Sequence, residues 1–146
     1  DATDEEVRHA AESAQAMDFI MDKPNGFQEK IVEGAGNLSG GQKQRLSITR
    51  ALVRKPDIYI YDDSFSALDM KTDALLRQAL KSEVKNAVVI IVAQRVSTIM
   101  DADQILVLDE GRLAAVGRHK ELLQECPLYY EIAASQLSEE ELQNVR

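Results

Sequence analysis

Residues 87–93 read Ala87-Val88-Val89-Ile90-Ile91-Val92-Ala93, the longest uninterrupted apolar run in the chain. A strand with one wet face alternates apolar and polar side chains. A strand that is apolar at every position is covered on both faces, which is the situation inside a parallel sheet. A second β-prone run, Ile58-Tyr59-Ile60-Tyr61, lies upstream and ends in Asp62-Asp63. Between the two runs, Asp69 stands as the cap of a helix over about 70–84, with Ala74, Leu75, Ala79 and Leu80 as its inward face. Strand, helix, strand in that order demands a crossover and therefore parallel pairing, so the chain is read as α/β.

The flanking segments fit around this unit. Thr3-Asp4-Glu5-Glu6 has the form of a capping box, and Val7, Ala10, Ala11, Ala14 and Met17 then recur at helical spacing. That helix is expected to run to about residue 21, where Pro24-Asn25-Gly26 stops it. Ser39 caps a second helix over about 40–54, ended by Pro56. Beyond the long apolar run, a short helix is expected at 96–101. Strands follow at 104–108 and 113–116 around the turn Asp109-Glu110-Gly111, then two short helices at 119–125 and 127–136.

Composition excludes several classes. The longest apolar run is far short of the roughly 20 residues of a membrane-spanning helix, and the polar, acidic start of the chain has the wrong character for a secretory signal. The reading is a soluble segment. Cys126 is the single cysteine, so no internal disulfide can form, and a buried or half-buried thiol in a reducing compartment is expected. His9 and His119 lie far apart, and His119 is read as a helix-start residue. The formal net charge is -8, concentrated at the two ends. That acidity argues against a dedicated nucleic-acid binder.

Four local patterns carry chemistry. Leu38-Ser39-Gly40-Gly41-Gln42 opens a helix, where free N–H groups and the positive helix end attract anions. Asp62 and Asp63 close a hydrophobic strand, the edge at which α/β proteins hold ligands and nucleotide hydrolases hold magnesium. Ser66-Ala67-Leu68-Asp69 follows at once, and Gln94 closes the 87–93 strand at the equivalent edge.

In this order and spacing the patterns resemble the ATP-binding domain of ABC transporters, most closely the exporter branch, over essentially the whole chain. The run Asn37-Leu38-Ser39-Gly40-Gly41-Gln42-Lys43-Gln44-Arg45-Leu46 is similar to the family's signature sequence and the helix it opens. Tyr61-Asp62 resembles the end of Walker B and residues 66–69 the D-loop; Gln94 occupies the H-loop position. The resemblance implies a P-loop NTPase-like α/β fold divided as follows: a helical subdomain with the signature at 1–54, the C-terminal part of a RecA-like parallel-sheet core at 55–136, and a frayed acidic tail at 137–146. No Gly-Lys pair exists in the chain. The family's P-loop, Q-loop and adenine-stacking aromatic fall upstream of Asp1, so the chain is expected to be the C-terminal portion of a longer domain. Alone it is expected to bind ATP weakly, to be inactive and to expose core surface.

By the same resemblance, two such domains sandwich ATP head to tail. Leu38, Ser39, Gly40, Gly41 and Gln42 would contact ATP held by a second ABC subunit, Asp62 would hold Mg2+ through water, and Asp69 would lie at the dimer interface. Transmembrane segments would share the polypeptide, and the assembly would sit at the cytoplasmic face of the plasma membrane. Two positions depart from the family pattern. Asp63 stands where a catalytic glutamate is usual, and Gln94 replaces the switch histidine. A carboxylate one methylene short withdraws from the attacking water, and glutamine cannot carry a proton as imidazole does. Both changes fall in one composite site, the pattern of the degenerate half of a heterodimer. Two alternatives stay open at this level. One is a homodimeric exporter that hydrolyses slowly. The other is a DNA-repair or chromosome-organising ATPase, to which the acid-free basic residues Lys43, Arg45, Arg50, Arg54 and Lys55 would be relevant. The loop Glu33-Gly34-Ala35-Gly36 also differs from the commoner exporter pattern.

Overall fold

The computed structural model describes residues 2–143. They form two compact units, the first running to Val92 and the second beginning at Ala93.

The first unit opens with α1 (Asp4–Ser13). Its capping box forms as the sequence predicts: the Thr3 hydroxyl accepts from the Glu6 amide, and the Thr3 amide donates to the Glu6 carboxylate. Lys55 donates to the same carboxylate at 2.8 Å. These bonds, Lys55 first, hold the Glu6 carboxyl down at about 2. The expected single helix to residue 21 is instead two, because α2 (Met17–Met21) is separate. Gln15 adopts a left-handed φ of 55°. The amides of Gln15 and Ala16 reach back to the carbonyls of Glu12 and Ala11 at 2.9 and 2.7 Å, the bond pattern of a Schellman stop. Arg45 donates to the Gln15 carbonyl at 2.7 Å, which anchors the break from outside. The intervening loop holds two 3-10 turns, Gly26–Gln28 and Glu33–Ala35.

Helix α3 (Gly40–Val53) begins at the predicted cap, Ser39. Strands β1 (Ile58–Asp62) and β2 (Val88–Val92) pair in parallel, Ile58 opposite Val88 and Asp62 opposite Val92, joined by α4 (Met70–Glu83). The core gathers Ala10, Ala11 and Ala14, Ile48 and Leu52, Tyr59, Tyr61 and Phe65, and Leu76 and Leu80. Two expectations fail in detail. The inward face of α4 is Asp73, Leu76 and Leu80, whereas Leu75 is 43% exposed and Ala74 is exposed. Asp73 can be buried because Arg77, one turn on, pairs with it at 3.2 Å. Strand β2 is not covered on both faces within this unit. Val89 and Ile91 are half-buried, but Val88, Ile90 and Val92 share an exposed face with Ile58 and Ile60, so the expectation of exposed core surface is met here.

Tyr61 is buried, its hydroxyl has no partner among the described residues, and burial pushes its phenol pKa up. An unpaired buried hydroxyl costs about 1–3 kcal/mol, whereas the ring packs at 5.5 Å from Phe65. Tyr61→Phe is therefore expected to raise stability by about 1 kcal/mol, read as a higher urea midpoint with an unchanged slope.

The second unit contains α5 (Val96–Ile99), the antiparallel hairpin β3 (Ile105–Asp109) and β4 (Arg112–Gly117), and helices α6 (His119–Glu125) and α7 (Pro127–Ala134). Glu110 and Gly111 both have positive φ, 44° and 76°, as a primed hairpin turn requires. Val96, Ile105, Val107, Leu122, Cys126, Tyr129 and Ala133 form the core. Cys126 is a buried free thiol, as expected. Within the span read as an acidic tail, Glu139–Gln143 forms the short helix α8, with Ser138 bonded to Glu141 at its start; residues 144–146 lie outside the described residues. No helix among the described residues is long and apolar enough to cross a membrane.

Candidate functional site

The start of α3 combines a closed capping box with backbone donors that find no acceptor among the described residues. Ser39 Oγ accepts from the Gln42 amide at 3.2 Å, and Gln42 Oε1 accepts from the Ser39 amide at 3.0 Å. That reciprocal pair satisfies two donors internally. The Gly40 and Gly41 N–H groups have no acceptor among the described residues, and the Ser39 hydroxyl proton has none either. Three donors thus converge at the positive end of a 14-residue helix, on an exposed segment where phosphate oxygens would satisfy all of them. Leu38, half-buried, packs its side chain against the core and orients the turn into the helix.

The same helix start lies against the turn that follows β1. A Cβ on Gly41 would stand 3.0 Å from the Ala67 carbonyl oxygen, and one on Gly40 would stand 3.4 Å from the Ala67 side chain. At Gly41 packing rather than φ favours glycine, because a Cβ would press on the Ala67 carbonyl, whereas one at Gly40 would make an ordinary contact. Gln44, one turn into α3, reaches the same turn. Its Nε2 donates to the Asp63 carbonyl at 3.0 Å and to Ser66 Oγ at 3.1 Å, and its Oε1 accepts from the Ala67 amide at 3.0 Å.

Asp62 ends β1 on the exposed face and Asp63 follows it, also exposed. Asp63 is held in a left-handed conformation, φ 50°. Its amide donates to the Val92 carbonyl at 3.0 Å, and its carbonyl also accepts from Ser66 Oγ at 3.0 Å. Asp is among the residues that tolerate this region. Asp69 is the N-cap of α4: its carboxylate accepts from the Thr72 hydroxyl at 2.7 Å and the Thr72 amide at 2.9 Å, and these bonds lower its pKa. No group of three or more His, Cys, Asp or Glu able to cage a metal exists among the described residues. Magnesium needs no such cage, because it keeps several waters and takes one or two carboxylates plus phosphate oxygens. Asp62 fits that mode.

Gln94 is described within the second unit. Its side chain is exposed, and its carbonyl accepts from Gln136 Nε2 at 2.9 Å while Gln136 Oε1 accepts from the Val96 amide at 2.8 Å. The first unit therefore brings together Ser39, Gly40, Gly41 and Gln42 with the turn carrying Asp63 and leading to Asp69. Sequence reasoning missed Gln44 and Gln136 as organisers. Gln44 is three and four residues from Gly41 and Gly40, hence on their face, but only the tertiary fold supplies its partners.

The ABC transporter family profile matches residues 2–66. ATP-binding cassette sub-family B member 5 of Homo sapiens is 47% identical over 136 residues, 93% of this chain and 11% of that protein. The ATP-dependent lipid A-core flippase of Chromobacterium violaceum is 45% identical over 139 residues, 95% of this chain and 24% of that protein. A solved bacterial Atm1-family ABC exporter with ATP bound superposes with a TM-score of 0.90 at 42% identity, covering 95% of this chain and 24% of the exporter chain. The chain spans about a quarter or less of the length of these relatives. In sequence and in fold alike, the chain is homologous to the ATP-binding domain of ABC transporters, exporters among them.

Proposed function

We propose that the chain is the signature-bearing portion of an exporter's ATP-binding domain, coupling ATP binding and hydrolysis to transport by membrane-spanning segments of the same polypeptide at the cytoplasmic face of the plasma membrane. The observation that carries this reading is the start of α3, where the Ser39 hydroxyl proton and the Gly40 and Gly41 amides have no acceptor among the described residues and the helix start lies against the turn after β1. These donors would serve the phosphate of ATP bound by a second ABC subunit. Asp62 would hold Mg2+ through water in this chain's own site. Asp63 would orient the attacking water there, Gln94 would donate to phosphate, and Asp69 would lie at the interface between subunits. ATP supplies the free energy; the protein's part is to position donors and exclude stray water. Without a Gly-Lys pair, residues 1–146 alone lack a P-loop lysine and would not hydrolyse ATP.

Asp63 and Gln94 together favour a heterodimer whose degenerate site includes this chain and whose competent site uses this chain's α3. A DNA-associated ATPase has less support. Of the basic residues that would face nucleic acid, Lys43 donates to the Gly34 carbonyl, Arg45 donates to Gln15 and lies over Phe19, and Lys55 bonds Glu6.

Restoring Asp63→Glu with Gln94→His in the full-length transporter is the direct test. Moving a catalytic carboxylate by about 1 Å changes rate on the order of a hundredfold, so the restored site should turn over measurably faster in single-turnover assays. Unchanged turnover at both sites overturns the degenerate assignment.

A further inference from the structure

We infer that Gln44 is a positioning residue that ties the anion-seating start of α3 to the turn at residues 63–67, so that the elements serving two different ATP sites move as one piece. This rests on the proposed reading of α3 and Asp63 and goes beyond it by naming the link. The single amide of Gln44 makes three bonds to that turn: Nε2 to the Asp63 carbonyl at 3.0 Å, Nε2 to Ser66 Oγ at 3.1 Å, and Oε1 from the Ala67 amide at 3.0 Å. All donors and acceptors are matched. Ser66 Oγ accepts from Gln44 while its own proton goes to the Asp63 carbonyl.

The turn needs an outside restraint. Asp63 sits at φ 50°, a conformation that persists only where the surroundings over-determine it. Its amide is held by β2 through Val92, and its carbonyl is held by Gln44. From the other side, Gly41 packs so closely on Ala67 that a Cβ there would force the Ala67 carbonyl to give by a few tenths of an ångström. Gly40, Gly41 and Gln44 share one face of α3. A shift of the turn that carries Asp63 is thus transmitted to the exposed amides at the start of the helix, and the reverse.

The test combines a local and a functional readout. In the 146-residue chain, Gln44→Ala should speed hydrogen exchange of the Ala67 amide at least tenfold. Gln44→Glu keeps the acceptor and should preserve Ala67 protection, but it cannot donate to the Asp63 carbonyl. In the full-length transporter, both variants should lower kcat for ATP about tenfold or more, with KM within about threefold, because positioning is lost rather than ground-state binding. A purely structural role would instead lower the amount of folded protein and leave kcat per folded molecule unchanged. Unaltered Ala67 exchange in Gln44→Ala, or unaltered kcat in both variants, overturns the proposal. Ser39→Ala separates the two levels. If it lowers ATPase while the Gln44 variants do not, the link fails and the reading of α3 stands. If it has no effect, the reading of α3 fails on its own account.

Discussion

Leu76→Ala is expected to lower the stability of the first unit by about 2–5 kcal/mol, whereas Leu75→Ala, one residue earlier, should cost under about 1 kcal/mol. Leu76 is 0% exposed and Leu75 is 43% exposed. Leu76 belongs to the cluster that joins α1, α3, α4 and β1 through Ala11, Ile48, Leu52, Tyr59, Tyr61 and Leu80. Truncation there loses the transfer energy of three carbons and leaves a cavity that rigid neighbours fill only in part. The unit has little to spare, because Ile58, Ile60, Val88, Ile90 and Val92 remain exposed instead of adding to the core. A domain's net stability is only about 5–15 kcal/mol, so the Leu76 variant should be partly unfolded at 37 °C. Urea unfolding of both variants is the check. Equal midpoints would mean that the inward face of α4 is wrongly assigned.

That pair of variants also marks where sequence reasoning stops. Reading α4 by apolar content selects Leu75 and Ala74. The helix turns instead to bury Asp73, which Arg77 makes possible at 3.2 Å; a buried carboxylate is invisible to a pattern of apolar residues. The break at Gln15 is hidden for a related reason. Its left-handed φ of 55° has no glycine to announce it and is held by Arg45, 30 residues away in sequence. Features set by neighbours in sequence were legible. The capping box at Thr3 and the helix cap at Ser39 formed where their residue types predict, and the parallel pairing of β1 with β2 follows from the helix between them. The start of α3 was legible from Ser39, Gly40 and Gly41 alone. What holds that start in place was not, since Gln44 finds its partners 19 to 23 residues downstream. The fully apolar β2 correctly signalled a strand in a parallel pair. Its two-sided apolar character exceeds what the first unit covers.

The second unit should depend as strongly on one buried pair. Tyr129→Ala is expected to cost about 3–5 kcal/mol, the usual loss for a buried aromatic. Tyr129→Phe should cost about 1–3 kcal/mol despite keeping the ring. The reason is His119. It is buried at the first position of α6, and its Nδ1 lies 2.7 Å from the Tyr129 hydroxyl, with the rings edge to face at 5.7 Å. Its Nε2 has no hydrogen-bond partner among the described residues. Burial pushes the Tyr129 phenol up to about 12, so it stays protonated and shares a proton with neutral His119. Phenylalanine would leave both ring nitrogens of His119 unsatisfied. Acid has a related effect, because imidazolium is a buried charge whose Nε2–H meets no acceptor among the described residues. Burial accordingly lowers the His119 pKa, with Lys120 acting in the same direction and Asp101 opposing. The sign follows: below the ordinary value of about 6.5 the unfolded chain takes up the proton first. Stability is therefore complete above about 6.5 and falls as pH drops from there through the lowered folded value, by at most about 1.4 kcal/mol per pH unit. Hydrogen exchange of the β3–β4 amides between pH 7.5 and 5, corrected for intrinsic rates, reads this unit separately from the first. His119→Asn should flatten its pH dependence. A slope that survives that substitution, or a Tyr129→Phe variant as stable as the parent at pH 7.5, would show that the pair does not hold the unit together.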